Sequence, residues 1–347
     1  MFELERVCAM KSFKRDHEKM NRSPRLVSAV IAAACCLFVI QTAVACQIPV
    51  FRYALERWAS DKYDVVILHK HPLSEKDQSQ VAAVQADSSR MNPVNANVRV
   101  VNVSNSDDPL MTKLWSDHGQ SGQPIAAVLY PEQAEDISDR LAQVMPLAAM
   151  SRQELFDSPA RTEIAKRLLA GESAVWIFVP CGHPEQDAQA LATLKREIRV
   201  NEERLELPSD EELESDDVSI EATHIELRIA FSILTVDRDD PREQLLVNTL
   251  MRSESDLQSL DQPMAFPVLG RGRVLYALVG QGISTDTIAM ASSFVAGPCS
   301  CQVKNLNPGF DLLLSVDWEE HLAGPKLSKE LPDESAEPIL LTIPPGR

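Results

Sequence analysis

The sequence predicts an α/β protein with mixed central sheets, built as two similar halves and preceded by an N-terminal signal or anchor helix. Three observations carry this. Short, largely apolar runs such as Tyr63 to Leu68, Ile125 to Tyr130 and Ala174 to Val179 have the length and content of buried strands. Between them lie segments whose apolar residues recur at helical spacing, and strands alternating with helices argue for α/β layers. Ahead of both stands one basic and then wholly apolar segment.

The opening segment is an export signal. Lys11, Lys14, Arg15, Lys19, Arg22 and Arg25 precede an uncharged run from Leu26 to Ile40, which ends in Ala43, Val44, Ala45, Cys46. Export machinery reads the basic flank and signal peptidase needs small side chains at the cut. Met20 is an alternative start that leaves a signal of ordinary length. Three fates are open: cleavage after Ala45, cleavage with lipidation of Cys46, or retention as a membrane anchor. Contact with the membrane is expected through this segment only.

Composition narrows the function. The 347 residues carry 34 Lys and Arg against 51 Asp and Glu, a formal charge of −17. Nucleic-acid binding through counterion release needs clustered basic surface, so no nucleic-acid partner is expected. Removing residues 1–45 leaves 27 basic and 47 acidic residues and a charge of −20. Such a chain repels anionic lipid surfaces.

Along the mature chain, Phe51 to Ala59 predicts a helix with Phe51, Ala54, Leu55 and Trp58 on one face. The strand Tyr63 to Leu68 follows, then a polar helix from Ser74 to Arg90 and a β-branched strand from Asn97 to Val103. Asp108 to Trp115 predicts a short helix with Pro109 in its first turn. Ile125 to Tyr130 is a strand, and Ile137, Leu141 and Val144 at i, i+4, i+7 predict a helix to Met145. In the second half, Thr162 to Leu169 is helical, Ala174 to Val179 a strand and Pro184 to Val200 a helix. Ile225 to Val236 predicts a long strand and Pro241 to Arg252 a helix. Met264 to Val279 predicts a hairpin through Gly270, Arg271, Gly272, and Thr285 to Val295 a last helix.

The domain division that follows is a signal or anchor at 1–45, a first module at 46–150, a second at 151–322 and a Pro-rich tail at 323–347. An acidic insertion at 201–222 interrupts the second module; Asn201 to Asp217 holds nine carboxylates and one Arg. It lacks the alternate spacing and Gly of a calcium loop, so it reads as solvated.

The order of elements resembles the thioredoxin-like fold, and both halves show it. The second half places Trp176 to Val179, then Pro180, Cys181, Gly182, His183, Pro184 where that family's first central strand meets its helix, and Phe266, Pro267, Val268 at a later strand. The first half places Leu68 to Pro72 and then Gly122, Gln123, Pro124 at the corresponding points. The resemblance implies cis prolines at Pro124 and Pro267. It implies no complete redox motif: the family pairs an attacking with a resolving cysteine, and here Pro184 stands where the second would be. Cys46 to Trp58 and Cys299 to Leu314 are also similar to stretches in uncharacterised exported proteins of planctomycete bacteria, which bring no mechanism.

Four cysteines remain in the mature chain, Cys46, Cys181, Cys299 and Cys301. They allow two disulfides in three connectivities, or an odd thiol if Cys46 is lipidated. Direct pairing of Cys299 with Cys301 would be strained. Cys181 before a helix has the setting of a single-thiol nucleophile with His183 beside it, while a structural cysteine is the plainer expectation. Cys299 and Cys301 offer two thiolates to a soft ion such as Cu(I), with Met290 as a third ligand, although a structural tie is preferred. His69 and His71 would share a metal only if a strand ran through both. No phosphate loop, nucleophile elbow or His-Glu-x-x-His is present. The expectation is therefore a binding or assembly module with an envelope protein as partner and no cofactor or metal. Thiol–disulfide exchange between Cys181 and Cys299 or Cys301 is the alternative.

Overall fold

The computed structural model of the protein describes residues 48–87, 93–119, 121–209, 225–299 and 303–322. Most of the helices begin where the chain supplies a cap or a proline. Helix α1 (Val50–Arg57) follows Pro49, and strand β1 (Tyr63–His69) follows it. Ser74 opens α2 (Glu75–Asp87): its Oγ accepts from the Asp77 N–H at 3.2 Å while the Asp77 carboxylate accepts from the Ser74 N–H at 3.2 Å. Two of the helix's orphan donors are thus satisfied reciprocally. Strand β2 (Ala96–Asn102) leads to α3 (Pro109–His118), capped by the Asp108 carboxylate, and then to β3 (Ile125–Leu129) and β4 (Leu141–Pro146). These strands form one mixed sheet in the order β2-β1-β3-β4, with β1 and β2 parallel and β3 antiparallel to both its neighbours.

The helix expected from Ile137 to Met145 is instead the edge strand β4. Every residue of β3 is buried, so its backbone groups need partners on both sides. Leu141 to Pro146 supplies them on the side that β1 leaves open, from Leu129↔Leu141 to Ile125↔Pro146. That requirement outranks a period resting on three residues, and Pro146 at the end of an edge strand costs no ladder bond.

The second half begins with α4 (Arg152–Leu155) and α5 (Pro159–Leu169), then β5 (Ala174–Val179), α6 (Pro184–Arg204) and β6 (Phe231–Thr235). Helix α7 (Gln244–Met251), strands β7 (Met264–Leu269), β8 (Arg273–Val274) and β9 (Leu278–Val279), helix α8 (Thr285–Ala296), strand β10 (Phe310–Asp311) and helix α9 (Trp318–His321) complete it. The long strand expected from Ile225 is regular only over β6. Before it, the chain is held by Ser173, whose N–H donates to the Ala230 carbonyl at 2.8 Å and whose Oγ donates to the Arg228 carbonyl at 2.7 Å. The second sheet runs β10-β8-β7-β5-β6, with β9 also on β7. Strands β5 and β6 are parallel, and β7 is antiparallel to β5 and β8. The run β6-β5-β7-β8 therefore repeats the order and directions of β2-β1-β3-β4.

One buried cluster takes alternate residues from both sheets, Val65 and Ile67 of β1 with Val175 and Ile177 of β5, and the apolar sides of α2, α5 and α7. The far face of the second sheet, with Trp176 and Phe178, is covered by α1, α6 and α8. The far face of the first sheet is covered by α3 through Met111 and Leu114. Strands buried on both faces explain the continuous apolar runs.

The chain ends cross between the halves. Helix α1 precedes the first sheet in sequence yet packs on the second, where the Val50 N–H donates to the Gly297 carbonyl at 2.9 Å. The expected turn at 270–272 fits here: a Cβ on Gly270, at φ +58°, would lie 2.6 Å from the Ala54 Cβ, so only glycine allows this approach. Conversely Leu312, Leu313, Leu314 and Trp318 join the cluster shared with the first sheet. The Asn95 side chain holds them, donating to the Leu312 carbonyl at 2.9 Å and accepting from the Leu314 N–H at 2.7 Å.

Asp311 is the charged counterpart of this crossing. Its side chain is only 3% exposed and meets Lys304 and, at 3.4 Å, Arg273. It also accepts from the Asp61 N–H at 2.7 Å, and its carbonyl accepts from the Tyr63 hydroxyl at 2.8 Å. Lys304 spans to the Asp61 carboxylate at 2.8 Å. Removing one member of a buried charged set leaves the others unpaired, at a cost of about 3–5 kcal/mol. Asp311→Ala is therefore expected to lower stability by about that amount in urea unfolding; a loss below about 1 kcal/mol would show that the cluster does not hold the sheets.

Candidate functional site

At the carboxyl end of β5 the chain must turn from a buried strand into α6 within four residues. Gly182, at φ +88°, makes the turn; a Cβ there would touch nothing within 4 Å, so the demand is conformational. Pro184 occupies the first helical position and the His183 side chain makes no cap. The cap comes from Asp187 in the first turn, whose two carboxylate oxygens accept from the Cys181 N–H at 2.8 Å and the Gly182 N–H at 3.0 Å.

This arrangement sets the state of the thiol. Cys181 is half-buried and burial pushes its pKa up; the His183 backbone hydrogen bond pulls it down, and Asp187 and Asp261 push it up again. A helix N-terminus ordinarily favours a thiolate, and the His183 N–H does so here, but Asp187, held by the Cys181 and Gly182 N–H groups just ahead of the helix, opposes it with a full negative charge. The net effect raises the Cys181 pKa above that of an ordinary cysteine.

A second arm meets the turn from the loop before β7. The His183 Nε2 lies 2.7 Å from the Asp261 Oδ2, and this hydrogen bond, with the carboxylate charge behind it, raises the His183 pKa. Asp261 is itself bracketed, since Arg238 donates to the carbonyls on either side of it, Leu260 at 3.3 Å and Gln262 at 2.6 Å. Next to the pair opens a cleft of about 690 Å³ between the start of α6, with Gln186, Gln189 and Thr193, and the segments carrying Gln262, Pro263 and Gly280. Cys181, His183 and Asp261 each offer a ligand atom within 4.8 Å of the others, and they are the one such cluster of three among the described residues.

The other sequence candidates fall elsewhere. Cys299 is buried among Ile48, Val50 and Val295, and its N–H donates to the Ile48 carbonyl at 2.9 Å. Helices α6 and α8 run the same way: the Gly280–Ile283 segment that leads into α8 lines the cleft with the start of α6, and Arg204 at the end of α6 donates to Ser293 at 3.1 Å. Cys181 precedes one helix and Cys299 follows the other, so the 12 residues of α8 keep them roughly 18 Å apart. Met290 is 68% exposed on α8, which does not converge with the buried Cys299 as a shared Cu(I) site would require. Cys46 and Cys301 lie outside the described residues.

The histidine pair and the prolines need correction. Strand β1 ends at His69, whose Nδ1 lies 2.8 Å from the His71 carbonyl, so no strand runs through both. Pro124 leads into β3 as expected, but it is trans, as is Pro267; no peptide bond among the described residues is cis. Pro267 sits inside β7 opposite Trp176. The strand begins at Met264, as the hairpin reading expected, so Pro267 lies three residues inside it, and the proline directly ahead of it, beside the end of β5, is Pro263. Asp261, Gln262 and Arg238 were missed with it; a proline directly ahead of the apolar run from Met264 was the available signal.

No family model matches the chain, and no curated protein matches it.

Two measurements check these electrostatics. A proton-NMR titration should give His183 a midpoint above that of free histidine, falling back in Asp261→Asn. A raised folded-state pKa also means that the pair's stabilising effect is full below the unfolded histidine value and disappears as pH rises through the folded one; both residues are exposed, so the effect on stability is small. For the thiol, the pH at which alkylation of Cys181 accelerates should lie above that of a free cysteine and move down in Asp187→Asn. An unchanged profile would remove Asp187 from the account.

Proposed function

We propose that this chain is an exported protein of two thioredoxin-like modules, tethered to the membrane through its N-terminal segment or released, that acts as a binding or assembly module in the cell envelope. The sheet order supports the fold assignment: each half has two parallel strands flanked by a third antiparallel strand and a fourth beyond it, with a helix between the parallel pair. In that family the redox pair lies at the first strand-to-helix turn. Here the turn holds a single thiol with Pro184 in the resolving place.

The observation that carries the reading is the geometry around this thiol. Asp187 occupies the N–H groups of Cys181 and Gly182, burial and the nearby carboxylates push the Cys181 pKa up, and Cys299 follows the far end of α8. A thiol poised for exchange needs the opposite: a lowered pKa and a second sulfur in reach. What the same end of the sheet offers is the 690 Å³ cleft, lined by glutamine, threonine and backbone of α6 and the 262–263 and 279–283 segments. Amide side chains beside a proline-led loop suit an extended polypeptide of an envelope protein, which hydrogen bonds along its backbone.

Mapping the cysteines of the exported protein by mass spectrometry, before and after mild reduction with glutathione, tests this. Cys181 is expected as a free thiol in both samples, with any disulfide elsewhere unaffected. A labile bond from Cys181 to Cys299 or Cys301 would overturn the reading in favour of thiol–disulfide exchange. Palmitate labelling of the wild type beside Cys46→Ala separates the lipidated from the released form.

A further inference from the structure

We propose that Cys181, His183 and Asp261 form a binding site for a divalent cation of the zinc class, which goes beyond the binding-module reading and does not depend on it. The three side chains present sulfur, nitrogen and oxygen donors within 4.8 Å of one another from two separate loops. Tetrahedral coordination at ~2.0–2.3 Å places ligand atoms roughly 3.3–3.7 Å apart. The cluster therefore closes by about an ångström at its widest while the His183–Asp261 pair opens slightly, shifts of the size that exposed side chains make by rotamer adjustment.

The surroundings are built in the manner of a metal site. Behind Cys181 stands Asp187, fixing the turn through the N–H groups of Cys181 and Gly182. Behind Asp261 stands Arg238, fixing the loop through the carbonyls of Leu260 and Gln262, while the Arg238 carbonyl accepts from the Gln244 side chain at 3.1 Å. An incidental surface His–Asp pair is worth little and needs no such bracing of the two loops that carry it, whereas here both loops are fixed at the backbone beside the donor side chains. Two carboxylates, Asp187 and Asp261, also make the spot acidic in a chain of net charge −17, which concentrates cations.

The donor set selects the ion. Thiolate and imidazole disfavour calcium and magnesium, which take oxygen ligands. The carboxylate, a hard oxygen donor, disfavours Cu(I), which prefers soft sulfur ligands. Three protein ligands leave a fourth place for water or for a donor group of whatever occupies the adjoining cleft. Binding exchanges protons for metal with no change of oxidation state: the Cys181 thiol releases one proton as the sulfur–metal bond forms, and His183, where protonated, releases another.

The test uses the full exported protein, stripped with a chelator and titrated with Co(II) and then Zn(II). One equivalent of Co(II) is expected to produce a near-ultraviolet sulfur-to-cobalt charge-transfer band, which one equivalent of Zn(II) bleaches. Cys181→Ser should abolish the band, and His183→Gln and Asp261→Asn should each raise the Kd at least about tenfold, with circular dichroism and thermal unfolding unchanged. Arg238→Gln, which touches no ligand, should also weaken binding. A band that survives Cys181→Ser, arising from Cys299 or Cys301, overturns the proposal. So does binding without any thiolate band, through the acidic 201–217 segment or His69 and His71, and so does the absence of binding in a folded wild type.

Discussion

The carboxylate of Asp311 is the point on which the two sheets depend. Asp311 belongs to the outermost strand of the second sheet, yet its carboxylate accepts from the Asp61 N–H and its carbonyl from the Tyr63 hydroxyl, both at the entrance to β1 in the first. Burying one charge without a partner is prohibitive, and here the set is closed. Arg273 and Lys304 balance Asp311 and Asp61, and the remaining Arg273 donors go to the Asn307 and Pro308 carbonyls at 2.7 and 2.9 Å. Such a set stabilises less than an apolar core of equal volume, but it is directional. The Asp61 carboxyl, pushed up by burial and by Asp311 and held down by Lys304, belongs to the same balance.

Around this node each half lends one end to the other. Helix α1 leaves the first half to cover Trp176 and Phe178, and residues 312–318 leave the second half to finish the shared cluster. The hairpin at Gly270 clamps the exchange, since Arg271 donates to the Leu55 and Glu56 carbonyls at 2.8 and 3.1 Å. The sheet face that α1 covers is the same one on which α6 packs, so the exchange also fixes the helix that begins at the Cys181 turn. Packing far from the site thereby sets where Cys181 and His183 are presented, while β7 sets where Asp261 meets them.

How much of this could be read in advance follows from where each signal resides. Buried strands such as Ala174–Val179 and capped helices such as Pro109–His118 announce themselves locally, through runs of apolar residues and an Asp-Pro start, and the α/β class follows. Strand β4 did not, because what makes Leu141 to Pro146 a strand is the unpaired edge of β3, a property of other residues. The site divided in the same way. Cys181 and His183 share one turn and stood out by spacing. Asp261 comes from 78 residues further on, an exposed acid with no local mark, and Arg238 acts on it only through backbone carbonyls. Pro267 drew attention through the resemblance, as the proline of a later strand, whereas Pro263 directly precedes that strand.

The Cys181 turn shows why a familiar rule about helix ends cannot be applied from sequence alone. Free N–H groups at the start of α6 would stabilise a thiolate by ~0.3–1 kcal/mol, and the sequence invites that conclusion. The first turn also carries Asp187, whose carboxylate accepts from the Cys181 and Gly182 N–H groups just ahead of the helix. The turn is thus fixed by a group whose charge opposes ionisation of the sulfur beside it. Rigidity and reactivity, which a helix N-terminus can supply together, are here separated: the thiol is placed but not activated. A neutral thiol in a fixed place needs something else to draw off its proton, and an acidic corner with a histidine across from it attracts cations in preference to electrophilic anions. Charge and position at this end of the sheet are therefore decided by Asp187 and Arg238, which stand behind the side chains of Cys181, His183 and Asp261.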